Sequence, residues 1–462
     1  MYFTKRVTPS YGLHTKTNQK EPPMIRKHQI RTKESLQVKL HQFLNKLRPC
    51  FTLPEYKHIY DIVLGIIKSQ SVIGNRIAQE LGEEVSLKKT CERLYRNLRR
   101  TGLGDRLQQC IIEEQSKGFN ADTAIIVDDS DIVKPKAKQM EGLKKVRDGS
   151  TGACDQNGYD LVNIIACQPE EEGYQIKPLS SDLVSRKIEV DSLIQLTQDR
   201  IVELILASGN RGTYVFDRGY DSRYMFAFMK EHGCDFIIRA VGTRDLIVNG
   251  VEQSFEEVAK SVKRSVTVKS RSGEDSFECG IKRVKIRLDG YPKKVPQTIE
   301  VWLVVARFIP KKKGGKAGFF YFFCDLPNQD LAMDMIMQKV IHMYNLRWKI
   351  EEVHRHVKQE YGWENIQLMS YTGLKNMNQL LLLAMCFVYS LKSYAYQLLQ
   401  TFPNLMKYSN RLWKQIYGFV YYKIARILSH CFAHVTRYHI LKYGGKWVDD
   451  QQLIIPCLNG GM

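Results

Sequence analysis

The spacing of apolar residues changes twice along this chain, and the changes divide it into three textures. From about residue 34 to 119 they recur every three to four positions: Leu36, Leu40, Phe43, Leu44 and Leu47 share one helical face. The same period predicts helices over Tyr56–Ser69 and Val72–Leu81. After the break at Gly82, Ser86 stands as the N-cap of a helix running to about Arg100. Leu87, Cys91, Leu94 and Leu98 form its inward stripe.

After Gly118 the pattern shortens. Ala124–Val127 predicts a buried strand ending in Asp128-Asp129-Ser130-Asp131. Further strands are expected near Asp160–Cys167 and Tyr174–Leu179, then a helix from about Val190 to Ala207. The strand Thr213–Phe216 ends at Asp217, and a helix to about Glu231 leads to the strand Asp235–Ala240. Strands alternating with helices indicate an α/β layer. From about 241 to 326 the pattern is almost all strand: Asp245–Val248, Ser265–Ser270, Cys279–Leu288, Thr298–Ile309 and Phe319–Cys324, with Lys311–Lys316 as a basic hairpin loop. Helices resume near Leu331 and persist to about Leu399, and another amphipathic stretch runs from Trp413 to Val435.

The expected architecture is therefore an α/β core interrupted by a β-rich insertion, with helical ends. Its divisions are a flexible basic arm over 1–33, a helical DNA-binding domain over 34–119, core segments over 120–240 and 327–400 around the insertion at 241–326, and a helical C-terminal region over 401–462 that could pair two copies or cover the core. The arm carries eight Lys and Arg residues against Glu21 alone and has no apolar period.

Charge narrows the partner. A formal net charge of +20 implies a polyanion, nucleic acid before an anionic membrane. The longest apolar run, Leu380–Leu391, is too short to span a bilayer, and the N-terminus lacks a signal peptide's apolar region. Eleven cysteines without C-x-x-C pairs fit reduced thiols and a cytoplasmic location. In that light Val72–Leu81 and Ser86–Arg100 read as a helix-turn-helix, with Arg93 and Arg96 on a second helix that would enter a major groove.

Three acids stand out by position. Asp128 and Asp217 follow apolar strands, where side chains project past a sheet edge. Asp129 would point to the opposite face from Asp128 by alternation, and Asp131 competes with it for a turn-capping role. Glu351 lies on a segment read as one helix, Tyr344–Lys358, on which Tyr344, Arg347 and Lys358 fall within about 40° of it. Three converging carboxylates would bind Mg²⁺, with Mn²⁺ substituting, and Arg347 and Lys358 would hold phosphates. Zinc is improbable, since His354 and His356 do not share a helix face.

Tyr344, Arg347, Glu351 and Lys358 reproduce the Y-(2)-R-(3)-E-(6)-K signature, and the chain here resembles bacterial insertion-sequence DDE transposases of the insertion-sequence-four family. The string Arg347–His354, Ile126–Ile132 around Asp128, and Asp217-Arg218-Gly219-Tyr220-Asp221 are similar to the corresponding segments of that family. The resemblance implies an RNase H-like core and a catalytic and metal-binding set of Asp128, Asp217 and Glu351. It implies cut-and-paste DNA transposition by a homodimer acting on terminal inverted repeats and target DNA. In several relatives a Trp of the insertion stacks on a flipped base while a DNA hairpin forms; the matching position here is Phe320. The competing readings are a non-catalytic DNA-binding relic and another RNase H-like nuclease.

Overall fold

The computed structural model describes residues 23–146, 155–171, 173–189, 192–269, 276–288, 297–310, 317–406 and 419–438, together with 152 and 440. It is a mixed α/β structure built on one twelve-stranded sheet. The strands are β1 (Ala124–Val133), β2 (Lys144–Val146), β3 (Gln156–Glu170), β4 (Gly173–Val184), β5 (Thr213–Phe216), β6 (Asp235–Arg239), β7 (Leu246–Val248), β8 (Val251–Gln253), β9 (Val266–Lys269), β10 (Ser276–Arg287), β11 (Thr298–Ile309) and β12 (Gly318–Asp325). Their order is β2-β3-β1-β5-β6-β12-β11-β10-β7-β8, with β4 on β3 and β9 on β10. β1, β5 and β6 run parallel; β3 and β4 are antiparallel to their neighbours.

Alternation along each strand separates two cores. Ile126, Val215, Ile237 and Phe322 face one, and Ile125, Val127, Phe216, Ile238 and Phe323 face the other. The second face is covered by α6 (Leu193–Ser208), α7 (Arg223–Glu231) and α8 (Phe255–Ser261). On the first lie α9 (Met333–Leu346), α10 (Trp348–Arg355) and α11 (Tyr371–Ser390). Beyond α11 pack the N-terminal helices α1 (Pro23–Asn45), α2 (Leu53–Ser69), α3 (Gly74–Leu81), α4 (Leu87–Leu98) and α5 (Leu103–Gln115), with α12 (Ala395–Thr401) and α13 (Tyr421–Phe432). α11 is buried on nearly every side, which accounts for its uninterrupted apolar run. Among the described residues no helix is long and apolar enough to cross a membrane.

Several expectations need correction. Helix α1 starts at Pro23, inside the stretch read as an arm; Pro suits a first turn, and Thr32 and Leu36 are buried on the helix's inner face. Residues 1–22, the Lys311–Lys316 loop and the 413–418 part of the last amphipathic stretch lie outside the described residues. The insertion does not form its own sheet: β12 pairs with β6, and the Ala240 amide donates to the Tyr321 carbonyl at 2.8 Å. It also contains α8, whose capping box of Ser254 and Glu257 was present in the sequence. In α4, Leu94 and Leu98 are buried while Leu87 is 38% exposed, so the inward stripe starts later. No disulfide joins any of the nine described cysteines, in line with the expected reduced thiols.

Gly158 shows how tightly the sheet closes behind β1. A Cβ at this position would be driven into the Ile132 carbonyl oxygen and against Val146. Gly158→Ala is expected to lower stability by about 1–3 kcal/mol, read as a lower midpoint in urea denaturation, because overpacking here must move backbone.

Candidate active site at the end of β5

β1 pairs with β5 only through Val127–Phe216, then continues to Val133 against β3 alone. Asp128 is thus inside a strand, and it gains its open side because β5 stops. Alternation sends Asp128 and Asp129 apart, as expected. Asp128 meets Arg347, with Nη1 at 3.5 Å from its carboxylate, and Asp129 accepts from the Tyr220 hydroxyl at 2.5 Å. Asp217 follows β5 and accepts from the Tyr344 hydroxyl at 3.1 Å, with Arg239 at 3.7 Å. Glu351 on α10 accepts from Arg347 Nη2 at 2.6 Å.

One guanidinium therefore serves two carboxylates, with the third held in the same crevice. Burial pushes the Asp128 carboxyl up to about 7, Arg347 opposes this, and Asp129, Asp217 and Glu351 add to it. Burial works against charge on Arg347, yet Asp128, Tyr344, Asp217 and Glu351 together hold its pKa above the ordinary value. Burial, with Asp217, likewise raises the Tyr344 phenol. The crevice is short of positive charge.

The segment read as one helix is broken. The Arg347 amide donates to Tyr344 and the Ile350 amide to Arg347, both three residues back, so α9 tightens before α10 begins. α10 then widens into a π turn at His356–Glu360. The four signature residues consequently reach different partners: Lys358 lies 3.6 Å from Asp131 and 3.5 Å from Glu364, not beside Glu351. Asp131 sits in the strand and not on a turn.

Phe320 is brought to the site's edge. Its ring lies under the Arg239 guanidinium at 5.2 Å, and Phe322 beside it packs on Tyr344 at 4.7 Å. Arg93 and Arg96 lie elsewhere, on α4. Arg93 is engaged internally with Asp61 (2.9 Å) and Glu83 (2.5 Å), whereas Arg96 is exposed. The sequence reading missed Arg239, although it ends β6 as Asp217 follows β5. It gave no role to Tyr220, and it missed Asp221, which is buried, paired with Arg244 and bonded to the Val241 amide at 2.7 Å.

The donor set is all oxygen, which suits a hard divalent cation. Among the described residues no three acid, His or Cys side chains are grouped tightly enough to hold one ion. Asp128, Asp217 and Glu351 fit in chemistry and in shared charge; in space they converge around Arg347.

Asp128, Asp217 and Glu351 thus gather about one arginine where β5 ends. A sequence model of the transposase DDE domain matches residues 120–387, more than half of the chain. The chain belongs to that family, which is one of transposase enzymes. Among solved structures it is similar to a piggyBac transposase in a synaptic complex with hairpin DNA seen by cryo-electron microscopy. That similarity stands at 9% identity and a TM-score of 0.37, over 87% of this chain and 75% of that one. No curated protein matches the chain.

Burial holds His354 and His356, near Glu351, and His58 on α2, at pKa values of about 3, below the ordinary 6.5. The unfolded chain takes up these protons below about pH 6.5 while the folded chain does not, so stability is lost as pH falls from 6.5 toward 3. Each histidine contributes a slope of up to about 1.4 kcal/mol per pH unit. Denaturation midpoints at pH 7.5 and 5.0 should differ accordingly, and the replacement His356→Gln should flatten the difference.

Proposed function

We propose that this protein is an active DDE transposase, cutting and joining DNA in cut-and-paste transposition of an insertion sequence. The observation that carries the reading is the Arg347 guanidinium shared by Asp128 and Glu351, with Asp217 in the same crevice, in a chain of this family. The fold supports an RNase H-like core. Strands β4-β3-β1-β5-β6 are antiparallel over the first two pairings and parallel over the last two.

Asp128, Asp217 and Glu351 would hold magnesium, with manganese substituting; two bound ions would activate the attacking hydroxyl and stabilise the leaving oxygen. Arg347 keeps three carboxylates together until then. Once it lets go of Glu351, its planar fork is placed to pair with the scissile phosphate. Tyr344 orients Asp217, and Lys358 supplies a second phosphate contact after leaving Asp131 or Glu364. Phe320 and Arg239 border the crevice as a stacking surface for a base beside the cut. The substrates would be terminal inverted repeats and target DNA, bound by a homodimer in a bacterial cytoplasm.

Purified protein with Mg²⁺ or Mn²⁺ should cleave DNA carrying the ends of its own element. Asp128→Ala, Asp217→Ala and Glu351→Ala should each lower cleavage at least about 10³-fold and leave DNA affinity nearly unchanged. Binding without cleavage of intact or pre-nicked ends would mean a relic, and cleavage of RNA without strand transfer would mean another nuclease. Lost binding in the alanine variants would make the acids structural.

Phe320→Ala tests the stacking role. Second-strand release should slow by the equivalent of about 1–3 kcal/mol while the first nick is unaffected. An unchanged second step would remove Phe320 from the mechanism and leave it as a core residue beneath Arg239.

A further inference from the structure

A second polar cleft, away from the acids, opens where α2 and α4 meet the segment after α13. It encloses about 520 Å³ and is lined by Lys57, His58, Arg93, Arg96, Arg100 and Arg437 among others. Arg93 and Arg437 grip opposite oxygens of the buried Asp61, at 2.9 and 2.5 Å, and Glu83 takes a second nitrogen of Arg93. Those two acids are the cleft's counter-charge. Among the described residues Lys57, Arg96 and Arg100 have no acid within ion-pair distance, so the cleft carries three uncompensated cations.

The floor adds an independent sign of an absent anion. His58 is 1% exposed, lines the cleft, and neither ring nitrogen has a hydrogen-bond partner. A buried imidazole with two unmet nitrogens costs free energy unless something polar visits it. Burial, then the charges of Arg93 and Arg100, hold it neutral; an anion would offset both cations.

The walls are fixed in place. Lys68 on α2 donates to the Val435 carbonyl at 3.0 Å, and Ser429 donates to the Lys68 carbonyl at 2.7 Å, which staples the C-terminal segment to α2. Asn376 of α11 donates to the carbonyls of Leu98 and Arg100 at 2.7 Å each, which anchors the end of α4. These bonds fix the backbone that carries the cleft's cations.

We propose that this cleft clamps a phosphodiester group of duplex DNA, through Lys57, Arg96, Arg100 and Arg437, as a sequence-independent anchor outside the acid site. The inference rests on DNA being the substrate. The charge fits a phosphate, and the guanidinium groups suit its oxygens. Phosphate contacts position a protein and carry no base information. Arg96 in the last turn of α4 thus acts with Arg100 just past the helix, Arg93 serves as a brace, and Arg437 makes the anchor a joint product of both ends of the chain.

The test uses the full-length protein and a labelled random-sequence duplex of about 40 base pairs, with affinity measured against salt. Replacing Arg96→Gln together with Arg100→Gln, which removes no ion pair seen among the described residues, should weaken binding about tenfold at 100 mM salt. It should also make the log–log salt slope shallower by up to about 1, the share of one phosphate. Equal thermal midpoints for variant and wild type would exclude unfolding as the cause. An unchanged slope beside a normal wild-type slope overturns the anchor and leaves the transposase reading standing. Wild type that binds no duplex at all overturns that reading instead. If inorganic phosphate raises the thermal midpoint beyond chloride of equal ionic strength while the slopes coincide, the cleft is a small-anion site and the DNA assignment fails.

Discussion

β5 ends at Phe216 while its parallel neighbour β1 runs on to Val133, and this mismatch in strand length is the constraint from which the site follows. Past Val127, β1 has lost one hydrogen-bonded edge, and the side chains that alternate there reach different surroundings. Asp128 turns toward α10 and Asp129 toward Tyr220. Asp217 emerges where β5 stops, so two carboxylates come close without any loop having to carry them. Like charges in a half-buried crevice repel strongly. A cation is then a structural need before it is a catalytic one, and Arg347 meets it. A lysine could not touch Asp128 and Glu351 from two separate nitrogens at once.

The β-rich insertion matters because it is part of the same sheet. With β12 hydrogen-bonded along β6, the aromatic strand is placed relative to the acids by backbone ladders, which tolerate little drift. Arg239, the last residue of β6, links the two: it approaches Asp217, donates to Tyr344 at 3.4 Å and covers Phe320. On the opposite flank, α11 binds the helical layer to β4, through Gln379 and Asn378 donating to the Ser181 carbonyl. The helical layer and the sheet are thus joined by a buried helix.

Much of this was legible in the sequence where a single physical cause dominates. Thr213–Phe216 and Thr298–Ile309 match their strands to the residue, because runs of buried β-branched and aromatic side chains bounded by turn residues allow little else. The sequence placed Asp128 and Asp217 after apolar runs; Asp217 does follow β5, whereas Asp128 lies inside β1 beyond the end of β5. The break at Arg347 and the π turn were not legible, since nothing in the local pattern marks them; both adjust the helix to partners on other elements. Asp131, far from Lys358 in the sequence, is one such partner. Helix α8 was a different kind of miss, as its Ser254–Glu257 capping box was plain and the surrounding strands masked it.

Charge is where sequence reasoning is weakest, because it counts cations without knowing which are already matched. Arg93, Arg200 and Arg347 would each add to a basic footprint. Yet Arg200 grips Asp182 (2.8 Å) and Glu203 (2.6 Å), Arg93 braces Asp61, and Arg347 serves the crevice. Such buried pairs specify position and contribute little outward field. The excess of +20 must be carried by the cations left over, and their arrangement is a tertiary property. Arg96 lies in the last turn of α4 and Arg100 just beyond the helix, and Lys57 joins them from α2 only once the helices pack. The outward cations therefore form a surface that only the packed fold assembles.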